Sequence, residues 1–232
     1  MNVYRALPEP EYRDLESRIL YEDNHLLIFN KRTGEIVQGD KTGDEPLSET
    51  LKAFSAQRDG TPGQVFLGVP HRLDRPVSGV CVFAKTSKAL ERLNEMLRQG
   101  AIHKTYWALT ANRPPQDSDT LTDCLVRNEA QNKSYVAKNG KEARLKYTLI
   151  QTTERYYLLE VELYTGRHHQ IRCQLAHMGC PIKGDLKYGA KRSNPDGGIS
   201  LMARRIQFIH PVKKTEVDVL APVPENWKGI QG

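Results

Sequence analysis

The sequence predicts an α+β fold, a largely antiparallel mixed sheet with flanking helices, and three observations carry that reading. Segments with strand period outnumber helical ones, and several are joined through tight turns. The run Gly79 to Ala84 is apolar on both alternating faces, as a central strand covered on two sides must be. No strand–helix–strand unit repeats and no Gly-x-Gly-x-x-Gly occurs, which argues against a dinucleotide-binding sheet. The 232 residues suffice for a sizeable core and show no strong linker. The expected organisation is an extended N-terminal arm over residues 1–17 and a single domain over 18–232.

Ile19 to Asn30 reads as two strands around the turn Glu22-Asp23-Asn24. Lys31 to Gly43, glycine-rich and charged, reads as loop, and Asp44 is the expected cap of a short helix with Pro46 in its first turn and Leu47, Leu51 and Phe54 on one face. Gln57 to Gln64, with Gly60, Pro62 and Gly63, closes it. After the central strand, Ser87 is the expected N-cap of a helix through Gln99, with Leu90, Leu93 and Leu97 inward and Gly100 at its stop. In Ala101 to Thr110, Lys104, Tyr106 and Ala108 share one strand face, while Thr105, Trp107 and Leu109 share the other.

Ala111 to Ser134 is polar and reads as an excursion from the core. Asn139-Gly140 between Ser134–Ala137 and Arg144–Gln151 is a hairpin signal, and Tyr156 to Tyr164 adds a strand. Thr165 is the expected cap of a helix through Met178, with Ile171, Leu175 and Met178 as its buried stripe. A last hairpin spans Leu201 to Pro222 around Pro211-Val-Lys-Lys.

Composition narrows the partners. Lys and Arg number 34 against 28 acids, a net charge of +6 and a pI near 9.1, which suits a polyanion, nucleic acid before membrane. No apolar run approaches the ~18 residues of a spanning helix, and Met1 to Pro10 lacks the core of a secretory signal, so a soluble cytoplasmic protein is expected. Cys81, Cys124, Cys173 and Cys180 show no framework spacing and are expected as free thiols.

Two constellations carry chemistry. Asp74 lies among Arg72, Arg75 and His71 immediately before the central strand, where neighbouring cations favour an ionised carboxylate on a loop fixed by a rigid scaffold. Alone, the tetrapeptide is also a loop whose charges solvate a strand entrance. Likewise Lys104 and Tyr106 can hold a phosphate and stack a base, or form an amphipathic edge pair. In the second constellation Arg167, His168 and His169 set cations at a helix N-terminus, which calls for an anion there; Arg172, one turn on, can reach the same anion, with Asp74 or an RNA phosphate as candidates. His169, Cys173, His177 and Cys180 recur along one stripe, but ligands strung along one continuous helix do not converge on a metal ion, and no metal is expected.

Together, His71-Arg72-Leu73-Asp74 with Ser78-Gly79, Lys104-x-Tyr106-x-Ala108, Thr165-Gly166-Arg167, His169-Gln170-Ile171-Arg172, Ala176-His177 and Gly184-Asp185 resemble, in order and separation, the RluA-type RNA pseudouridine synthases, in their short branch without an N-terminal RNA-binding module. The resemblance covers about Ile19 to Pro224. Departures are Val77 where the family usually has Thr, His168 where it has Thr, Ser or Lys, Gln174 and Met202 where it often has His, and Arg32 where it often has Pro.

The resemblance implies a pseudouridine synthase-like catalytic domain that isomerises uridine in ribosomal or transfer RNA without a cofactor, most simply as a monomer. Asp74 is implied as the catalytic carboxylate, acting on the sugar or base as a nucleophile or by removing the ribose 2′ proton. Arg172 is implied as its partner, Tyr106 as the surface against the flipped uracil, Ile171 as the wall opposite, and Arg72 as the side chain filling the vacated stack. Lys104, Arg167 and His169 are implied in support of the loop or of phosphates. The other class of reading is a non-catalytic RNA-binding protein on the same scaffold.

Overall fold

Helix α1 (Glu9–Ser17) occupies most of the segment expected as an extended arm. Pro10 suits the first helical turn, and Glu9 and Glu11 complement the dipole there. Only Leu15 of this helix is buried, with Leu7 just ahead of it, so no apolar stripe marks it in the sequence. The chain is seen in a computed structural model that describes residues 3–39, 42–61 and 63–231; the first two residues of the expected arm, Asp40 and Lys41 of the expected loop, and Pro62 lie outside it.

The first hairpin forms as its sequence dictates, β1 (Ile19–Glu22) against β2 (Leu26–Lys31), with Asp23 in the turn accepting the N–H groups of His25 at 2.7 Å and Leu26 at 2.9 Å. Helix α2 (Leu47–Arg58) buries Leu47, Leu51 and Phe54 as expected. Its N-cap position is Pro46, however, and Asp44 instead pairs with Arg75. Strand β3 (Ser78–Ala84) is the central strand, buried throughout after Ser78. Helix α3 (Ser87–Arg98) is capped one residue earlier than expected, by Thr86, whose hydroxyl accepts the Ala89 N–H at 3.2 Å.

Strand β4 (His103–Thr110) follows, and the polar excursion proves to hold a strand of 11 residues, β5 (Ser118–Asn128). Leu125 is its one fully buried side chain, so backbone pairing rather than apolar alternation holds it. Strands β6 (Lys133–Val136) and β7 (Lys141–Thr152) both run antiparallel to β5 and therefore in the same direction as each other. The expected hairpin at Asn139-Gly140 is thus a kink between aligned segments. Its glycine is required by closeness: a Cβ on Gly140 would sit 2.6 Å from the Leu125 backbone.

Strand β8 (Tyr157–Leu163) leads to helix α4, which starts at Gln170, five residues after the expected cap, and ends at His177. The delay has a local cause: the Gln170 carboxamide oxygen accepts the Thr165 hydroxyl at 2.8 Å and the Arg167 N–H at 3.0 Å, holding residues 165–169 in a turn. Strands β9 (Leu201–Ile209) and β10 (Glu216–Leu220) form the closing hairpin. The sheet order is β1-β2-β3-β9-β4-β8-β7-β5-β6 with β10 on β9, antiparallel except for β3–β9.

That one parallel contact positions the site. It is confined to Ser78↔Met202 and Gly79↔Ala203, where a Cβ on Gly79 would lie 2.2 Å from the Ala203 carbonyl. Beyond it the strands part, and the His71 imidazole Nε2 accepts the Val82 N–H at 3.0 Å. Among the described residues no helix is long and apolar enough to cross a membrane.

Candidate active site

Asp74 stands on the turn that enters β3, closed by the Val77 N–H donating to the Asp74 carbonyl at 3.0 Å. The turn is held from beneath by Lys31, wholly buried, whose ammonium donates to the carbonyls of Val77 at 2.6 Å, Arg32 at 2.9 Å and Arg75 at 3.2 Å. Burial pushes the Lys31 pKa down to about 8. His71 is likewise kept neutral, by burial and by the Lys104 charge, which fixes Nε2 as the acceptor for Val82.

Three elements meet at Asp74. Arg172, on the first turn of α4, donates from Nη1 to Asp74 Oδ2 at 3.0 Å. Its remaining donors form a fork on Asp185, Nε to Oδ2 at 2.7 Å and Nη2 to Oδ1 at 2.9 Å. Burial opposes the guanidinium charge, but Asp185 and Asp74 outweigh it and raise the Arg172 pKa. His169 Nε2 lies 3.4 Å from Asp74 Oδ2. Burial and Arg172 push this imidazole down to about 2, so the contact is that of a neutral ring N–H, not an ion pair. Of the anions expected for Arg172, Asp74 is the one it meets, with Asp185 beside it, while the histidines before α4 are held neutral.

A chain of donors orients His169. The Ser134 N–H donates to the Tyr188 hydroxyl oxygen at 2.8 Å, which leaves the Tyr188 O–H for His169 Nδ1 at 3.0 Å and the His169 proton on Nε2, facing Asp74. His169 adopts a left-handed φ of 51°, a conformation that costs a non-glycine residue roughly 1–3 kcal/mol and that the packed surroundings must impose. His168 stacks on it with centroids 3.8 Å apart.

The other expected residues fall as follows. Tyr106 is buried on β4, and burial together with the Asp74 charge raises its hydroxyl pKa. Ile171, beside Arg172, is buried in the same apolar cluster as Tyr106. Lys104 is half-buried, its pKa lowered by that burial, and its Nζ lies 3.9 Å from where a Cβ on Gly166 would stand. Arg72 is exposed and makes no hydrogen bond or ion pair among the described residues. Arg167 is turned toward β7, its Nε donating to the Glu142 carbonyl at 2.8 Å. The sequence reading gave no place in the site to Asp185, Tyr188 or Lys31. Gly184-Asp185 was visible as a motif, but nothing local marks Asp185 as the anchor of Arg172, 13 residues earlier.

The His and Cys stripe of α4 does not converge. No group of three or more His, Cys, Asp or Glu side chains among the described residues is placed to hold a metal ion. Cys173 and Cys180 are buried free thiols.

The mixed sheet that opens at its one parallel strand pair has a fold already known. The structure superimposes on Human RNA Pseudouridylate Synthase Domain Containing 4 with a TM-score of 0.78, covering 93% of this chain and 92% of that one at 23% identity, a likeness of fold. The RNA pseudouridylate synthase family matches residues 25–177, and the chain belongs to that family. It is 33% identical over 216 residues to ribosomal large subunit pseudouridine synthase C of Vibrio cholerae, covering 90% of this chain and 67% of that protein. It is 34% identical over 229 residues to ribosomal large subunit pseudouridine synthase D of Xylella fastidiosa, covering 92% and 68%. The protein is thus an RNA pseudouridine synthase, an isomerase of uridine in RNA.

Proposed function

We propose that this chain converts uridine to pseudouridine in large-subunit ribosomal RNA, in the cytoplasm and as a monomer, with Asp74 as its catalytic carboxylate. The observation that carries the assignment is the one-sided hold on Asp74. Its Oδ2 meets both Arg172 and His169, whereas Oδ1 takes no hydrogen bond among the described residues and the side chain is 32% exposed. A carboxylate fixed through one oxygen and open at the other has a lone pair left for a substrate.

The reaction breaks the bond between ribose C1′ and uracil N1, turns the base, and joins C1′ to C5; the C5 proton is released and N1 gains one. Asp74 acts at the sugar, either as nucleophile at C1′ or by taking the 2′ proton, and both routes need it ionised. Arg172 holds it in place through a charge-assisted hydrogen bond. The uridine must leave its stack, at a cost of a few kcal/mol, and stacking on Tyr106 returns ~1–3 kcal/mol. Ile171 closes the apolar side of the pocket, Arg72 is free to fill the gap in the RNA stack, and Lys104 and Arg167 take phosphates. His169 supports Asp74 without exchanging protons, since it is held neutral.

The test is tritium release from C5-labelled uridine in transcripts of large-subunit ribosomal RNA and of transfer RNA. Release from the ribosomal transcript is expected. Release from transfer RNA alone would move the substrate, and release from neither would overturn the reading.

A further inference from the structure

A second concavity lies against the site without belonging to it. A groove of about 410 Å³ is lined by Leu125, Val126, Arg127, Ser134, Asn139, Gly140, Lys141, Gly166, Arg167 and His168, and of its ionisable side chains three are cations, one is His168 and none is a carboxylate. Arg127 and Lys141 are exposed and form no ion pair or side-chain hydrogen bond among the described residues, and Arg167 uses only Nε, on a backbone carbonyl. Several cations elsewhere on this surface are paired with carboxylates, as Arg5, Arg58, Arg98, Arg113 and Arg205 are, whereas Arg72 is not. Three unneutralised cations around one concavity are held there against their mutual repulsion, an arrangement that an anion would relieve.

The groove meets the catalytic centre along one short segment. At Gly166 the absent side chain leaves Lys104 Nζ 3.9 Å beyond. At His168 the wall is one imidazole thick: His168 stacks at 3.8 Å on His169, which lies 3.4 Å from Asp74. His168 is braced from the groove side by Asn132 Oδ1 at 3.0 Å and Ser134 Oγ at 2.9 Å. The kink at Asn139-Gly140 lines the groove as well, where Gly140 lies against β5 and is followed by Lys141, which pairs in register with Leu125, two residues from Arg127.

We propose that this groove is a binding site for single-stranded RNA backbone, taking the nucleotide that adjoins the target uridine, with Arg127, Lys141 and Arg167 on its phosphates. The inference rests on RNA being the substrate and deepens that reading. The groove has room for about one nucleotide; Arg127 and Lys141 sit on β5 and β7 and Arg167 is tied to β7 through the Glu142 carbonyl, so the strand is gripped next to the uridine and held in register with Asp74.

The test compares the wild type, the pair Arg127→Ala with Lys141→Ala, and a control pair of equal charge change, Lys88→Ala with Lys214→Ala, at the opposite end of the sheet. Binding of a fluorescent decauridylate is read by anisotropy from low to physiological salt, with thermal melts to establish folding. The groove pair should weaken binding about tenfold, and the slope of log affinity against log salt should fall by roughly 0.7 for each cation removed. The control pair should stay within about twofold. Equal affinity in wild type and groove pair, or equal weakening by the control pair, would overturn the groove. Tritium release by the wild type is scored separately on ribosomal RNA, so a failure of the reaction assignment and a failure of the groove give different results. On a transcript that the wild type turns over, the groove pair should raise KM and leave kcat unchanged; a fall in kcat at unchanged KM would also overturn the proposal.

Discussion

The sheet carries a carboxylate among cations and histidines at each end, and the two clusters have been solved in opposite ways. At the end away from the site, Asp23 is 9% exposed and saturated. Oδ1 accepts the N–H groups of His25 and Leu26; Oδ2 meets the Tyr21 hydroxyl at 2.9 Å, Lys213 at 2.7 Å and His210 Nε2 at 3.0 Å. Burial alone would raise its pKa, but Lys213, the two N–H groups and Tyr21 outweigh it and hold the carboxyl well below its ordinary value. This is a clasp between the β1–β2 turn and the β9–β10 turn. Asp74 has a buried arginine and a neutral histidine on one oxygen and, among the described residues, no hydrogen bond on the other. Charge density does not separate the saturated carboxylate from the one proposed as catalytic; among the described residues the unoccupied lone pairs do.

The largest expected effect lies at the open cluster. Asp74→Asn keeps the volume and one acceptor but removes both nucleophile and base, so turnover should fall below detection in the tritium assay. Stability to urea should change by no more than about 1 kcal/mol, because the side chain is part-exposed. RNA affinity should hold or rise. A folded variant with wild-type rates would remove the distinction between the two clusters.

Asp185→Ala probes the buried half of the same cluster. It strips the fork from Arg172, whose side chain is 6% exposed, and should cost about 3 kcal/mol in urea denaturation besides slowing turnover. A loss of activity with no loss of stability would place Asp185 in the chemistry instead.

Asp23→Asn should do the reverse of Asp74→Asn, costing about 2 kcal/mol at neutral pH with kcat unchanged. Because the folded pKa lies below the ordinary 3.8, the ionised clasp contributes fully above that value and its contribution is lost as pH falls below it. The stability gap between wild type and variant should therefore be constant above about pH 5 and narrow progressively as pH falls further. A gap that is constant with pH would mean the clasp is steric.

The smallest effect is expected from Tyr188→Phe, which removes the hydroxyl between Ser134 and His169. It should cost about 1 kcal/mol of stability and lower kcat several-fold through loss of His169 orientation, with KM for RNA little changed. An unchanged kcat would show that Arg172 alone holds Asp74.

Much of the fold is legible along the chain where side-chain burial is periodic. The run at β3, the hairpin at Asp23, the stripes of α2 and α3 and the closing hairpin at Leu201 each bury one face or both, and burial leaves a pattern. Where backbone pairing or a single anchor does the holding, no pattern forms. Helix α1 rests on Leu15, β5 on its ladder to β7, and the start of α4 is set by one carboxamide. The turn chemistry of Asn139-Gly140 is real, but a glycine required by close approach to β5 is written with the same letter as one required by a hairpin.

What the sequence by itself determined is the family and the candidate residues. Asp74, Tyr106 and Arg172 stand out by motif, and the pairing of Arg172 with Asp74, 98 positions apart, is expected from the family resemblance and present in the structure. Only the tertiary structure decided that Asp185 holds Arg172, that Tyr188 and Ser134 set the His169 proton toward Asp74, and that Arg127 and Lys141 line one groove with His168. Composition and motif fix the identity of charges, whereas which lone pairs are spent and which are left open depends on distances between segments that meet only once the sheet is assembled.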